Sequence, residues 1–169
     1  MLLWFAGLSF VVVWAVFRDT AIDYRLFMAA AVLPDVVDGL QGGARHLHTL
    51  VASVVLLTVV MLATRHRRPL RRQLLAVPVG TFCHLLLDAV WARTATFWWP
   101  FFGADLTGRL PSLDRPPALL VAQELAGLLA LWWCWSRFRL VEPDRRRLFL
   151  RRGRLGRDLL GGPTSAAPG

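Results

Sequence analysis

The stretch LLWFAGLSFVVVWAVF, residues 2–17, is 16 residues long and contains no charged side chain. A helix of about 20 apolar residues crosses the ~30 Å hydrocarbon core of a bilayer. Three further segments of 18 or 19 residues are similarly apolar: Leu47–Thr64, Gln73–Trp91 and Ala118–Trp135. Residues 21–40 contain a shorter apolar run. A helix over this whole range would be nearly long enough to cross the bilayer. The sequence therefore predicts an all-α integral membrane helical bundle with four or five transmembrane helices.

The composition of the 169-residue chain agrees with a membrane protein. Hydrophobic residues make up 56% of it, charged residues 18%, and the mean hydropathy is +0.48. Soluble domains average about 25% charged residues, so the composition excludes a disordered protein and disfavours a water-soluble globule. The eight tryptophans cluster near the ends of apolar segments, as in the aromatic belts of bilayer interfaces. Cys83 and Cys134 lie inside apolar runs and predict neither a disulfide framework nor a CxxC metal motif.

Arginine sets the predicted orientation. All 20 basic residues are arginine, and the net charge is +9. One cluster occupies Arg65–Arg72, and a second follows the last apolar segment, from Arg137 to Arg157. Because arginine-rich loops stay cytoplasmic, both clusters indicate the same side and place residues 92–117 outside. We expect a multi-pass protein of the inner or plasma membrane with a cytoplasmic C-terminus.

The sequence also predicts a division into three regions. Residues 1–140 form a membrane-embedded helical domain, 141–160 a basic amphipathic juxtamembrane helix, and 161–169 a disordered tail rich in Gly, Pro, Ser and Ala. The alternation of arginine with leucine and phenylalanine in 141–160 predicts binding to anionic lipids of the inner leaflet. Nucleic-acid binding is the weaker interpretation, because the charge lies next to the membrane and no recognition motif accompanies it.

Ionisable side chains within the apolar segments are candidate functional residues, because a charge at membrane depth is costly. Asp35 and Asp38 are three residues apart and share one face of a helix, where they could share a proton or bind a cation. A polar helix end before Gly39 is the alternative. His46 and His48 are two residues apart near the start of the second long segment, which places them on different faces of a helix. For His48, a polar residue at the membrane interface is the alternative.

His84 and Asp88 give the strongest signal, because a spacing of four residues aims both side chains from one helix face. Both could bind one metal ion, or the carboxylate could orient the imidazole. A hydrogen-bonded pair that packs helices together is the alternative. Glu124 lies at a similar predicted depth in the last span, where it could act as a general base or form a helix-packing hydrogen bond.

The predicted topology brings these side chains to one level near the outer membrane surface. The candidate metal ligands are Asp35, Asp38, His48, His84 and Asp88, with His46 and Glu124 as weaker candidates. Imidazoles and carboxylates together suit a divalent cation, with zinc the first choice, in a site for one ion or for two.

Four motifs follow one another in the chain: LPDVVD at residues 33–38, RHLHTL at 45–50, HLLLD at 84–88 and WWP at 98–100. Their order resembles the YdjM-like family of inner-membrane metal-dependent hydrolases, over residues 29–103 of this chain. The resemblance implies metal ligation by Asp35, Asp38, His48, His84 and Asp88. That family is similar to the zinc-dependent phospholipase C and nuclease superfamily, which implies hydrolysis of a phosphoester, such as that of a lipid headgroup.

The sequence thus predicts a membrane-bound, metal-dependent hydrolase whose site faces the extracytoplasmic side, with Asp35 or Asp38 taking the proton of an attacking water. The aromatic stretch at residues 97–103 would be an interfacial anchor or a lid over the site. The alternative is a non-catalytic membrane protein whose His/Asp cluster is a structural metal site or a helix-packing site. A transporter or proton relay would need polar residues continuing to the cytoplasmic side, and few follow in that direction from His84.

Overall fold

The computed structural model describes residues 1–43, 46–103 and 114–156 of the chain. Within these ranges the secondary structure is helical and includes no strand, which confirms the all-α prediction. The helices are α1 Leu2–Phe17, α2 Tyr24–Leu40, α3 Leu50–Ala63, α4 Arg68–Leu74, α5 Ala76–Leu87, α6 Thr94–Phe97, α7 Pro117–Arg137 and α8 Pro143–Arg152. Two short 3₁₀ turns, His46–His48 and Val90–Ala92, lie before α3 and after α5.

Helix length departs from the prediction in the third apolar segment. The run predicted as one span over Gln73–Trp91 is divided between α4 and α5, which meet at Leu75. At its other end α5 stops at Leu87, because Asp88 caps it and Ala89 adopts the left-handed conformation with φ 53°. Hydropathy alone does not reveal these interruptions, since the residues on both sides of them are apolar.

Membrane-spanning length is reached by one helix among the described residues. Pro117–Arg137 is long and apolar enough to cross a bilayer, whereas Leu2–Phe17 and Leu50–Ala63 are apolar but shorter. Helix length and composition therefore identify one candidate span. They do not show the predicted bundle of four or five spans.

Three helices form the centre of the fold. α2 packs against both α1 and α5, while α3 packs on α5 and α7 on α1. Aromatic side chains fill the end of this arrangement near the α1–α2 link: the ring of Phe10 lies 4.8 Å from Tyr24 and 5.4 Å from Phe138, between centroids. Such ring pairs add specific contacts to the free energy gained by burying apolar surface.

Glycine allows α2 and α5 to approach closely. A Cβ atom built on Gly80 of α5 would lie 2.6 Å from the Ala30 Cβ and 2.8 Å from the Phe27 carbonyl oxygen of α2. Small residues at helix contacts permit this backbone approach. One turn further along each helix are Asp35 of α2 and His84 of α5, so this contact brings two candidate site residues together.

The C-terminal part of the described chain folds back onto the α1–α2 link. The Tyr24 amide donates to the Gly153 carbonyl at 3.0 Å, and the Leu155 amide donates to the Thr20 carbonyl at 3.0 Å. Phe149 of α8 stacks on Phe10 with ring centroids 5.7 Å apart. The helix predicted over 141–160 is thus present over Pro143–Arg152 and is docked on the bundle. The predicted disordered tail at 161–169 lies outside the described residues.

Candidate metal centre

Four side chains from three elements meet at one point in the fold. Asp35 comes from α2, His48 from the 3₁₀ turn before α3, His84 from α5, and Asp88 from the residue that caps α5. One potential ligand atom from each lies within 4.8 Å of those of the others. The structure therefore brings together four of the five side chains that the sequence nominated as metal ligands.

The shortest distances in this group join the two imidazoles and one carboxylate. His48 Nε2 lies 3.3 Å from His84 Nε2. Asp35 Oδ1 lies 3.5 Å from His48 Nε2 and 3.6 Å from His84 Nε2. Ligands about 2.0–2.2 Å from a tetrahedral zinc ion lie about 3.3–3.5 Å apart. These three atoms therefore have the spacing of three ligands of one ion.

Both imidazoles are oriented by a partner on the other ring nitrogen. His84 Nδ1 lies 2.8 Å from the Ala31 carbonyl oxygen, and because a carbonyl only accepts, this nitrogen carries the hydrogen. His48 Nδ1 lies 2.7 Å from Asp38 Oδ2 and, against an ionised carboxylate, donates in the same way. A metal-binding histidine is usually held by such a hydrogen bond from its second nitrogen. In each neutral ring Nε2 is then left with its lone pair.

With both imidazoles neutral, the centre of the group consists of acceptor atoms that face one another. The two Nε2 atoms are 3.3 Å apart, and both imidazoles are 0% exposed. The buried oxygens Asp35 Oδ1 and Asp88 Oδ2 accept no hydrogen bond within the described part of the chain, whereas Asp88 Oδ1 is ion-paired with Arg115 at 3.0 Å. Buried acceptors without donors are unfavourable, and a cation among them removes this cost. The residues present therefore fit a divalent metal ion.

Local structure fixes the position of His48. Asp38 Oδ2 accepts a hydrogen bond from the Leu47 amide at 3.1 Å, which ties the 3₁₀ turn to α2. Thr49 caps α3 by accepting a hydrogen bond from the Ala52 amide at 3.1 Å. On the other side Phe5 of α1 covers His84, with ring centroids 4.1 Å apart. The site is thus enclosed by α1, α2, α5 and the start of α3.

Asp38 differs from its sequence interpretation as a ligand or a catalytic base. Its carboxylate lies on His48 Nδ1 and the Leu47 amide, and it is outside the group of four converging side chains. The i, i+3 spacing from Asp35 suggested a shared role, but Asp38 lies closer to the turn that carries His48, at 2.7 Å from His48 Nδ1, against 3.5 Å between Asp35 Oδ1 and His48 Nε2. In this geometry Asp38 is a positioning residue for His48.

We expect Asp38→Asn to weaken metal binding about 10- to 100-fold, since losing the partner of a ligating histidine has an effect of this size. Competition titration with a chromogenic zinc chelator measures it. The same titration on His48→Ala, which removes a ligand atom, should show the larger loss. Equal losses in the two variants would instead make Asp38 a ligand.

The two weaker candidates lie elsewhere. His46 is exposed, and its ring contacts Trp99 with centroids 6.2 Å apart. Glu124 Oε2 accepts a hydrogen bond from the Leu3 amide at 2.9 Å, and Oε1 lies 3.5 Å from the amino group of Met1. Glu124 therefore joins α7 to the first turn of α1, whose amides lack helical partners, which matches its helix-packing alternative.

Arg115 is a site residue that the sequence analysis missed. Its Nη2 lies 3.0 Å from Asp88 Oδ1 as an ion pair and donates a hydrogen bond to the Asp88 carbonyl oxygen at 2.6 Å, while Nη1 donates to Gln123 at 3.1 Å. One signal could have identified it: an arginine in the predicted outward loop is an exception to the positive-inside distribution. No periodicity links Arg115 to Asp88, because the two lie in different loops.

Comparisons with protein-family models, curated proteins and solved structures found no match to this chain. The function of the centre must therefore be argued from its geometry and chemistry.

Proposed function

We propose that this protein is a membrane-bound, metal-dependent hydrolase of phosphoester bonds, with its metal centre on the extracytoplasmic side. One observation carries the proposal: the Nε2 atoms of two oriented imidazoles and an oxygen of the buried Asp35 carboxylate converge at distances of 3.3–3.6 Å, the spacing of three ligands of one ion. Zinc is the proposed ion, because it favours nitrogen and oxygen ligands at this spacing. The proposed family relationship remains the resemblance to YdjM-like hydrolases.

Exposed apolar surface supports a membrane location. Large apolar side chains of α3 and α7 point away from the bundle, among them Leu62, 69% exposed, and Trp132, 66% exposed. Soluble monomers rarely expose extended apolar patches, whereas in a bilayer such side chains contact lipid. The proposed spans are α1, α2, α3, α5 and α7.

The positions of the helix ends support the five-span version. Contacts of Asp19 with Arg72, and of Thr20 with Leu155, place the α1–α2 link beside the two arginine-rich segments that the positive-inside rule makes cytoplasmic. The Met1–Glu124 contact places the start of α1 beside the start of α7. The His/Asp cluster lies at the ends of α2 and α5 opposite to these two arginine-rich segments, which supports an extracytoplasmic position for the cluster.

The four side chains of the centre differ in access to solvent. Asp35 is 14% exposed, whereas His48, His84 and Asp88 are at 0%. Substrate and water therefore reach the centre beside Asp35. A divalent ion bound here would polarise a phosphoryl oxygen and lower the pKa of a nearby water. As the water oxygen bonds to phosphorus and the ester P–O bond breaks, Asp35 accepts the water proton and returns it to the leaving oxygen.

Arg115 supports a phosphoester as the substrate class. Its guanidinium is 15% exposed and lies next to Asp88, at the edge of the centre. A guanidinium binds phosphate oxygens in a planar, two-pronged geometry and stabilises the charge that develops on them. Arg115 thus places a positive charge at the edge of the centre, where it would attract the phosphate group of a substrate.

An apolar groove beside the centre favours a lipid substrate. It has a volume of about 280 Å³ and begins at Leu50, two residues after His48. Its walls are α3 and the aromatic stretch predicted as an anchor or lid, and its lining consists of Leu50, Val51, Val54, Val55, Phe97, Trp98 and Phe101. An acyl chain in this groove would keep the phosphoester of a lipid near Asp35 at the outer surface of the membrane.

We expect the purified protein in nanodiscs to release the headgroup or phosphate from an anionic phospholipid, and to lose this activity with a strong chelator. Asp35→Asn should lower the rate at least about 100-fold, because it replaces a carboxylate that is both a proposed metal ligand and the proton acceptor. Asp144→Asn is the matched control, since Asp144 is 95% exposed in α8, and it should keep the wild-type rate. Headgroup release is followed by mass spectrometry.

The alternative, a non-catalytic membrane protein with a structural metal site, gives a different result. It predicts no turnover of phospholipids or of soluble phosphodiesters, together with a melting temperature that falls on chelation. The complete burial of both imidazoles is the observation that favours it.

A further inference from the structure

A second cavity lies at the end of the bundle away from the metal centre. It has a volume of about 710 Å³, within the usual range of ligand sites. Its walls come from three parts of the chain: the α1–α2 link with the start of α2, helix α4, and the segment that ends α8. Six arginines and one aspartate contribute to its lining. The arginines are Arg25, Arg68, Arg72, Arg151, Arg152 and Arg154.

The wall formed by the C-terminal segment is held by specific hydrogen bonds. The Gly153 carbonyl accepts from the Tyr24 amide, and the Leu155 amide donates to the Thr20 carbonyl. Arg25 donates to the carbonyls of Leu150 and Arg151 at the end of α8. Leu155 itself is 2% exposed in the aromatic core. The cavity is therefore built into the fold.

Two of the arginines form ion pairs with carboxylates. Arg25 makes a two-pronged contact with Asp23, at 3.1 Å through Nε and 2.9 Å through Nη2. Arg72 is paired with Asp19. Partial burial raises the pKa of Asp19, but hydrogen bonds from the Ala21 amide and Arg72 outweigh this and hold the pKa below its usual value. The Asp19 carboxylate therefore stays ionised beside Arg72 near neutral pH.

The other arginines leave an excess of positive charge. Within the described ranges, the guanidinium groups of Arg68, Arg151 and Arg152 contact no carboxylate. Several unpaired guanidiniums around one cavity repel one another, and a polyanion between them removes this repulsion. Arginine forks match phosphate oxygens in particular.

We propose that this cavity is a phosphate-binding site that takes the headgroup of an anionic phospholipid from the cytoplasmic leaflet. The arginine-rich end is the cytoplasmic end of the proposed topology, where basic pockets meet anionic headgroups. Ile22 and Leu26 add apolar surface to the lining, which suits the glycerol and first acyl carbons of a lipid. The leaflet assignment rests on the proposed membrane topology, whereas the phosphate chemistry does not depend on the hydrolase.

Calorimetric titration of the full chain in neutral detergent tests this site, with dihexanoyl phosphatidic acid as the lipid probe and inorganic pyrophosphate as the free-phosphate probe. We expect saturable binding of the lipid at 0.15 M salt, with dihexanoyl phosphatidylcholine at least about tenfold weaker. The double variant Arg68→Gln/Arg152→Gln should weaken phosphatidic acid binding at least about tenfold, since it removes two charge-assisted contacts. The other two pairs among Arg68, Arg151 and Arg152 can be replaced by glutamine and titrated in the same way.

A matched double variant separates the cavity from general charge. Arg146→Gln/Arg147→Gln removes the same charge from exposed positions of α8 outside the cavity, and we expect binding within about twofold of wild type. A strong chelator, which would remove the ion of the proposed hydrolase centre, should also leave the binding unchanged, so the site is tested whether or not the proposed hydrolase activity is found. Pyrophosphate binding with the same variant dependence and no lipid preference would assign the cavity to free phosphates. Equal losses in both double variants, or no saturable binding of either probe, would overturn the proposal.

Discussion

His84→Ala is expected to remove at least nine-tenths of the metal bound by the wild-type protein, which should carry about one divalent ion per chain. His84 Nε2 lies 3.3 Å from His48 Nε2 and 3.6 Å from Asp35 Oδ1, so its loss opens the centre of the ligand group. The remaining three side chains would then hold an ion with one imidazole in place of two. Metal content after exhaustive dialysis is measured by plasma mass spectrometry, and Asp88→Ala should show a similar loss.

Two other histidines act as controls for this measurement. His66→Ala changes an exposed residue in the arginine-rich link after α3 and should keep full metal content. His46→Ala should do the same, since that ring contacts Trp99 outside the group of four. Full metal content in His84→Ala would reject the ligand assignment, and loss in His46→Ala would place a further ligand in the centre.

Gly80→Ala is expected to destabilise the protein by about 2 kcal/mol and to weaken metal binding about tenfold or more. The new methyl group would lie 2.6 Å from the Ala30 Cβ, so α5 must move away from α2. That movement also separates His84 from Asp35, one turn further on. The gain in helix propensity from glycine to alanine, about 1 kcal/mol, offsets only part of the strain. Thermal melting and the zinc-chelator titration measure the two effects.

Two further alanine variants show whether Gly80→Ala weakens metal binding through the α2–α5 contact or through general loss of stability. A Cβ on Gly103 would lie 3.7 Å from the Ala95 Cβ, an ordinary contact, so Gly103→Ala should match wild type in both measurements. Gly7→Ala should lower stability without weakening metal binding, because its Cβ would meet the Gly127 carbonyl at 2.3 Å, on the α1–α7 contact. If Gly7→Ala weakened metal binding as much as Gly80→Ala, the effect would be one of general stability.

The sequence predicted the helices best where hydropathy is uninterrupted. α1 begins and ends at Leu2 and Phe17, as its unbroken apolar run indicates. The third apolar segment was predicted too long, because the ends of α5 depend on backbone conformation at Leu75 and Ala89, which hydropathy does not report. Membrane insertion itself remains a prediction, apart from the one candidate span at α7.

The site was predictable to the extent that its residues are ionisable groups in apolar surroundings. Asp35, His84 and Asp88 stand out for this reason, and the structure places their ligand atoms within one group with His48. The orienting role of Asp38 depends on the 3₁₀ turn, and the carbonyl partner of His84 belongs to the backbone of Ala31. Neither of these two contacts can be predicted from residue type or spacing, so only the three-dimensional structure reveals them.

The order of the ligands along the chain has a consequence for biosynthesis. Asp35, His48, His84 and Asp88 all precede residue 89, and the elements that carry them lie before α6. α7 and α8, which contribute none of these four side chains, are translated later. A nascent chain therefore contains all four candidate ligands before the ribosome reaches α7, so the capture of an ion by them would be compatible with an early step of maturation.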